Sequence, residues 1–485
     1  MLNLITLIFR LTLTLLFISS ILIADDYEKW LKSQNNQYIQ YKKSLDEEFS
    51  DMLKKDWKAF KSRSTPTPYK EPKPINIPVL KEPTKAAIKE LRKSPIVIVD
   101  PIKELVIPKP KKALKEVKVI KDFNSSKFNF YSIPMSIQYD KNTIFETDEI
   151  SKESISKFWD MMSSTNYKEL IKQLQSNSTD LNLNDWAKYQ FIYKLGLKVF
   201  DEDDNKANLF TWFILVKMDY DIKVGYGSSN IYLMSAIEHN LYQVSFFTLK
   251  NKRYYILTPN GNANNIASIN TYEGNYPKAN KKLSLTIFEE IKFYNNLKNK
   301  PLEFKYDEKS YTINTQYSLD LINFYATFPQ SDYKIYFSAK NSTPLSNSIL
   351  LQLEPLVKGK SEIEAVNLLL RFVQTSFRYQ TDQKQFSYEK VMFPEETINY
   401  PYSDCEDRSI LFSYLVKNLL HLDIVGVKYN NHLATAVNFS SQVSGDKFTY
   451  KERSYTIADP TYINANAGMV MPQYKNSKFQ IVSLK

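Results

Sequence analysis

Between residues 64 and 111 the chain is written in prolines and lysines, as in "STPTPYKEPKPINIPVLKEPTK" and "VDPIKELVIPKPKK". Each proline fixes φ and removes a backbone donor, so this stretch forms neither a helix nor a central strand. It stays extended and divides the chain. We read 64–111 as a linker with reach across a cell envelope; docking on an acidic surface is the lesser alternative. The 485 residues exceed one ordinary core, and 43% hydrophobic with 14% aromatic content supplies two or more domains. The formal charge of +11 is dispersed and partly spent in this segment. It specifies no anionic partner, and no nucleic-acid-binding pattern is present.

Upstream, Arg10 precedes an uninterrupted apolar run from Leu11 to Ala24, followed by acids. That length suits a signal peptide over 1–24 and is short for a membrane span. An uncleaved anchor is the alternative, and it is the only membrane contact the sequence suggests. The Lys/Asn-rich, Gly-poor composition fits a bacterial source, which places the bulk in the periplasm or cell envelope. Over 25–63, Leu31, Tyr38, Tyr41, Leu45, Phe49, Met52 and Trp57 fall mostly at three- and four-residue spacing. This is an amphipathic helix that packs on the protein's own body or docks on an envelope partner.

The body reads as α+β. Residues 112–150 form a β lead-in through "FNFYSIPMSIQYD". Helices follow, through "ISKFWDMM" and "LNDWAKYQFIYKLGLKVF", within a unit over 151–300. A β-rich connector spans 301–345 through "LEFKYD", "YTINTQYSL" and "YKIYFSAK". The last unit, 346–485, contains "EIEAVNLLLRFVQTSFRY" and the only cysteine, Cys405.

Cys405 stands in "SDCEDRSILFSYLVKNLL". Leu411, Leu415 and Leu419 recur every fourth residue behind it, a buried helix with Glu406 and Asp407 in its first turn. A helix N-terminus favours a thiolate, but Asp404, Glu406 and Asp407 oppose it, so ionisation needs a cation such as an imidazolium. Of the three histidines, His421 lies at the far end of the helix, and His432 opens the strand "HLATAVNF". "RSYTIADPTY" is a second strand, ending at Asp459. Adjacent antiparallel strands set His432 beside Asp459, giving nucleophile, base and orienting carboxylate.

"SDCEDRSILFSYLVKNL", "NNHLATAVNF" and "YTIADPTY" together resemble the transglutaminase-like superfamily of papain-fold cysteine enzymes. The resemblance covers about residues 346 to 485. It implies a core helix against an antiparallel sheet, with Cys405 as nucleophile, His432 as base and Asp459 as its partner. Ser403 stands where the family usually has glycine, and the oxyanion-hole side chain, expected within 379–402, is not identified. No cofactor or metal is implied.

Shifted by 202 residues, "LFTW" at Leu209 falls on "LFSY" at Leu411, and Asp203 falls on Cys405. Thr258 falls where Asp459 stands, and Tyr242 or nearby His239 takes the place of His432. Residues 151–300 therefore read as a degenerate second transglutaminase-like unit. The acidic run 201–204 is a helix start rather than a Ca²⁺ site. The function expected is an exported thiol-dependent peptidase or amidase acting on a protein or peptide. The alternatives are a non-catalytic envelope scaffold with a vestigial triad and an amine-accepting, cross-linking transglutaminase.

Overall fold

The computed structural model describes residues 27–72, 77–81, 120–261 and 266–484, apart from 28, 39 and 148. The expected signal peptide and residues 82–119 lie outside the described residues.

A helix, α1, takes in the described residues from 27 to 53; its buried Phe49 packs against Trp159 and Trp212 of the middle unit, and Leu53 joins the same core. The helix expected over 25–63 therefore ends early. Trp57 opens a strand, β1 (Trp57–Lys61), followed by β2 (Arg63–Ser64). Both pair with the middle unit's sheet, because Trp57 has aromatic partners there in Tyr226 and Tyr272. In the first half of this helix Tyr27, Trp30, Leu31, Tyr38 and Tyr41 are exposed.

The β lead-in is a hairpin of β3 (Phe123–Phe130) and β4 (Ile133–Asp140). The middle unit follows with α2 (Lys152–Ser164), α3 (Tyr167–Asp180), α4 (Asp185–Val199) and α5 (Asp204–Lys217). Asn184 and Asp203 cap α4 and α5 by accepting from Ala187 N and Lys206 N. The acidic run 201–204 is thus a helix start, as read from the sequence. Next come β5 (Ile222–Tyr226), β6 (Ile231–Ser235), β7 (Ser245–Leu249), β8 (Lys252–Leu257) and β9 (Ser268–Tyr272). A hairpin of β10 (Leu297–Tyr306) and β11 (Lys309–Ser318) leads to α6 (Leu319–Ala326) and α7 (Tyr333–Ser338). The connector is therefore only half β. "YKIYFSAK", expected as a strand, is helical because Tyr333, Ile335, Tyr336 and Phe337 are all buried, which a half-exposed alternating strand would not allow.

The last unit contains α8 (Thr343–Val357), α9 (Glu362–Ser376), β12 (Arg378–Tyr379), α10 (Asp382–Gln385), α11 (Pro394–Asn399), β13 (Tyr402–Ser403) and α12 (Cys405–Leu415). A π-turn over Val416–Leu420 ends at His421, whose φ of 55° closes the helix. Then come β14 (Asp423–Lys428), β15 (Leu433–Asn438), β16 (Lys447–Tyr450), β17 (Arg453–Ala458) and β18 (Gln480–Val482).

The two units share one plan. In the last unit the strands lie in the order β16-β17-β15-β14-β18; in the middle unit β7-β8-β6-β5-β9 occupies the same places, extended by β1 and β2. The offset of 202 read from the helices carries into the sheet, since β6 starts at Ile231 and β15 at Leu433. Gly227 N bonds Asn230 O at 3.0 Å, and Tyr429 N bonds His432 O at 2.8 Å. Both β7–β8 and β16–β17 close with two left-handed non-glycine residues, Lys250–Asn251 and Lys451–Glu452, the two-residue hairpin turn. The position equivalent to His432 is therefore Asn230. Tyr242 and His239, expected there, lie beyond β6: Tyr242 bonds Asp332, and His239 faces Leu285 and Thr286. The loops after the helices differ in shape, and the strand start decides the register.

Candidate active site

The helix α12 is the centre of the last unit, and every residue from Cys405 to Ser413 is buried. Its start is fixed by Asp404 in extended backbone. Asp407 accepts from Asp404 N at 3.1 Å and from Met392 N at 2.9 Å. Arg408, fully buried, ties this turn to the end of α9. It donates to Phe377 O at 2.8 Å, Gln374 O at 3.3 Å and Ser403 Oγ at 3.1 Å. Burial lowers this guanidinium to about 10. Cys405 thus sits at a rigid helix N-terminus, as the acidic first turn and apolar repeat indicated.

The sheet delivers the other two groups. β15 and β17 are antiparallel with Thr435 opposite Ala458, so the start of one strand lies beside the end of the other. His432 Nε2 and Asp459 Oδ2 are 2.8 Å apart. A carboxylate only accepts, so Nε2 carries the proton and Nδ1 of a neutral ring is left as the base. The second oxygen of Asp459 accepts from Thr461 N and Tyr462 N at 2.9 and 3.3 Å, and Gln374 Nε2 holds its carbonyl at 3.0 Å. Ser409 Oγ of α12 bonds Leu433 O at 2.9 Å, joining the helix to the strand that carries His432. The Leu433 backbone also hydrogen-bonds the Cys405 sulfur.

The thiol itself donates to Glu406 Oε2 at 2.9 Å and makes no hydrogen bond to His432. Burial, then the charges of Glu406 and Asp404, push Cys405 well above its ordinary value. The opposition expected from the neighbouring acids is present, and in this conformation the group is a thiol rather than half of an ion pair. The acids are themselves crowded. Burial raises Asp404 and Asp382 well above the carboxylate range, Asp407 to about 8 and Glu389 to about 7. Both carboxylate oxygens of Asp404 are buried without a hydrogen-bond partner. Among the described residues, donor atoms converge within 4.8 Å in Asp404–Cys405–Glu406, Asp382–Glu389–Glu406 and Asp382–Asp404–Asp407. Such oxygens suit protons or a hard cation.

Residues 348–473 match a family model described as a transglutaminase-like domain. This part of the chain is a transglutaminase-like domain. No curated protein and no solved structure matches the chain.

The transglutaminase-like domain is lined by tyrosines that sequence reasoning did not single out. Tyr474 stacks on His432 with centroids 5.0 Å apart and planes 11° apart, and Tyr429 stacks on Tyr474 at 4.8 Å. Tyr333 is buried and Tyr379 half-buried; burial raises both phenols, with Cys405, Asp404 and Glu406 among the neighbouring charges. Tyr379 falls inside the 379–402 window expected for the oxyanion-hole residue. With 34 tyrosines in the chain, composition gives no means of choosing these. Tyr333 precedes the matched residues and reaches the site from α7.

Proposed function

We propose that the chain is an exported, thiol-dependent amide-bond enzyme of a bacterial envelope, a peptidase or amidase, with Cys405, His432 and Asp459 as its triad. The observation that carries this reading is the buried His432–Asp459 hydrogen bond beside the N-terminus of the helix that begins with Cys405. His432 Nδ1 takes the thiol proton as sulfur attacks the carbonyl carbon, forming the C–S bond and a tetrahedral oxyanion. Collapse breaks the C–N bond, His432 protonates the leaving amine, and water hydrolyses the thioester. A raised thiol suits proton transfer concerted with attack better than a standing ion pair.

The middle unit, in this reading, is a second copy without the nucleophile. Its strand order and its offset of 202 support the duplication, with Asp203 capping α5 at the cysteine's position. A scaffold role is the second reading, favoured by the exposed aromatics at 27–41, which offer a surface to an envelope partner. Comparing envelope proteins of wild type with a Cys405→Ala strain separates the two. An uncleaved species that accumulates supports the enzyme; identical profiles, with a phenotype only on deleting residues 27–41, support the scaffold.

A further inference from the structure

Cys405, His432 and Asp459 are only 2%, 6% and 1% exposed, so no peptide reaches them in this conformation. Part of what covers that face is the proline-rich stretch read above as a linker. Thr65 O accepts from Gln243 N at 2.8 Å, leaving the middle unit. Tyr69 is buried, with its ring stacked on Tyr333 at 4.3 Å and its hydroxyl donating to Ser331 O. Lys70 reaches Asn430, two residues before His432, at 3.4 Å. Glu71 accepts from Thr381 Oγ1 at 3.2 Å, two residues after Tyr379, and Pro72 is buried. The chain reappears in a parallel bridge of Val79 with Ile463, four residues after Asp459. There Leu80 N donates to Ile463 O at 3.0 Å, and Asn464 Nδ2 donates to Leu80 O at 2.7 Å. These contacts flank all three groups, and Tyr333 links Tyr69 to Cys405, since both lie among the neighbours that act on its phenol.

An ordinary linker is solvated. This one buries an aromatic side chain and makes one parallel backbone bridge, contacts of the kind a bound extended peptide makes. Its prolines hold it extended in advance, which lowers the ordering cost of lying in a groove. We propose that residues 65–72 and 77–81 occupy, in cis, the groove through which an extended peptide reaches Cys405, with Tyr69 in the pocket for a substrate's aromatic side chain. The ligand class is an extended, proline-tolerant peptide bearing an aromatic residue, and the segment must lift before substrate enters. The purpose of the groove rests on the thiol-enzyme reading; its existence does not.

The test uses the full chain carrying Cys405→Ala, so that no chemistry is required. A fluorescent peptide of residues 65–72 is titrated against it with and without Tyr69→Ala. Because the tethered segment competes at high effective concentration, Tyr69→Ala is expected to tighten peptide binding by about tenfold or more. The same peptide with its tyrosine replaced by alanine is expected not to bind. Equal binding to both chains, or binding indifferent to that tyrosine, overturns the proposal. Leu80→Pro, which removes the donor to Ile463 O together with the part-buried Leu80 side chain, gives a second release should Tyr69→Ala lower the melting point. With Cys405 present, either variant is expected to speed iodoacetamide labelling at least about tenfold; an unchanged rate marks the segment as a brace and overturns the proposal. If the peptide binds but labelling of the released chain ignores His432→Asn, the groove stands and the triad falls.

Discussion

Asp404 concentrates the electrostatics of the site in one side chain. It is fully buried, its two oxygens lack partners, and it is held protonated well above the usual range. A carboxyl raised in the folded state contributes stability that is complete below about pH 4, its unfolded value, and is lost as pH rises through the folded value. Asp407 at about 8 and Glu389 and Glu395 at about 7 act in the same direction. The melting temperature is therefore expected to fall as pH rises from about 4 to about 8. Asparagine is close in shape, carries no proton to titrate and places donors among acceptors. Asp404→Asn should stabilise by about 1–3 kcal/mol at pH 8 and change little at pH 5, read by thermal unfolding at both. A variant less stable at both pH values would show that the proton on Asp404 is not a cost.

At the scale of elements, two buried cations hold helices in place. Arg408 joins the first turn of α12 to the end of α9 through two carbonyls and a hydroxyl. Arg408→Ala leaves those acceptors buried and unpaired, an expected loss of about 3 kcal/mol or more in denaturant unfolding. Lys217 joins α5 to α1: its ammonium pairs with Asp46, bonds Tyr276 Oη at 3.1 Å and lies 4.6 Å over Trp159. Burial brings it down to about 8 despite that partner. Asp46→Ala should cost about 3–5 kcal/mol at pH 6, where the lysine must be charged or give up its proton. Its cost should shrink by pH 9, where the folded-state lysine is neutral. A pH-independent loss would assign the effect to packing alone.

At the scale of the molecule, one continuous core runs from Phe49 to Leu484 through both units. Phe393 of the transglutaminase-like domain packs on Tyr325, Phe328 and Tyr336, all outside the matched residues, with ring centroids 4.2–5.2 Å apart. The closing strand β18, paired with β14, also lies outside them. A fragment of residues 348–473 is therefore expected to lack a cooperative melting transition, while calorimetry of the full chain gives a single peak. A fragment that melts cooperatively would show that the domain carries its own core.

The sequence by itself determined the periodic parts. The apolar repeat after Cys405 and the alternation of "HLATAVNF" and "RSYTIA" follow from side chains one turn or two residues apart, a local geometry that needs no partner. From these came the central helix, the pairing that brings His432 to Asp459, and the offset linking the two units. Tertiary structure decided what local spacing does not encode. It made Trp57 a strand because Tyr272 was waiting for it, made "YKIYFS" a helix because four of its six residues are buried, and put Asn230 where His432 stands in the other unit. It also placed Tyr69 against Tyr333, 264 residues away, where the proline-rich stretch crosses the face of Cys405. Prolines state that a segment is extended; which surface it lies on depends on the cavities that distant residues leave open.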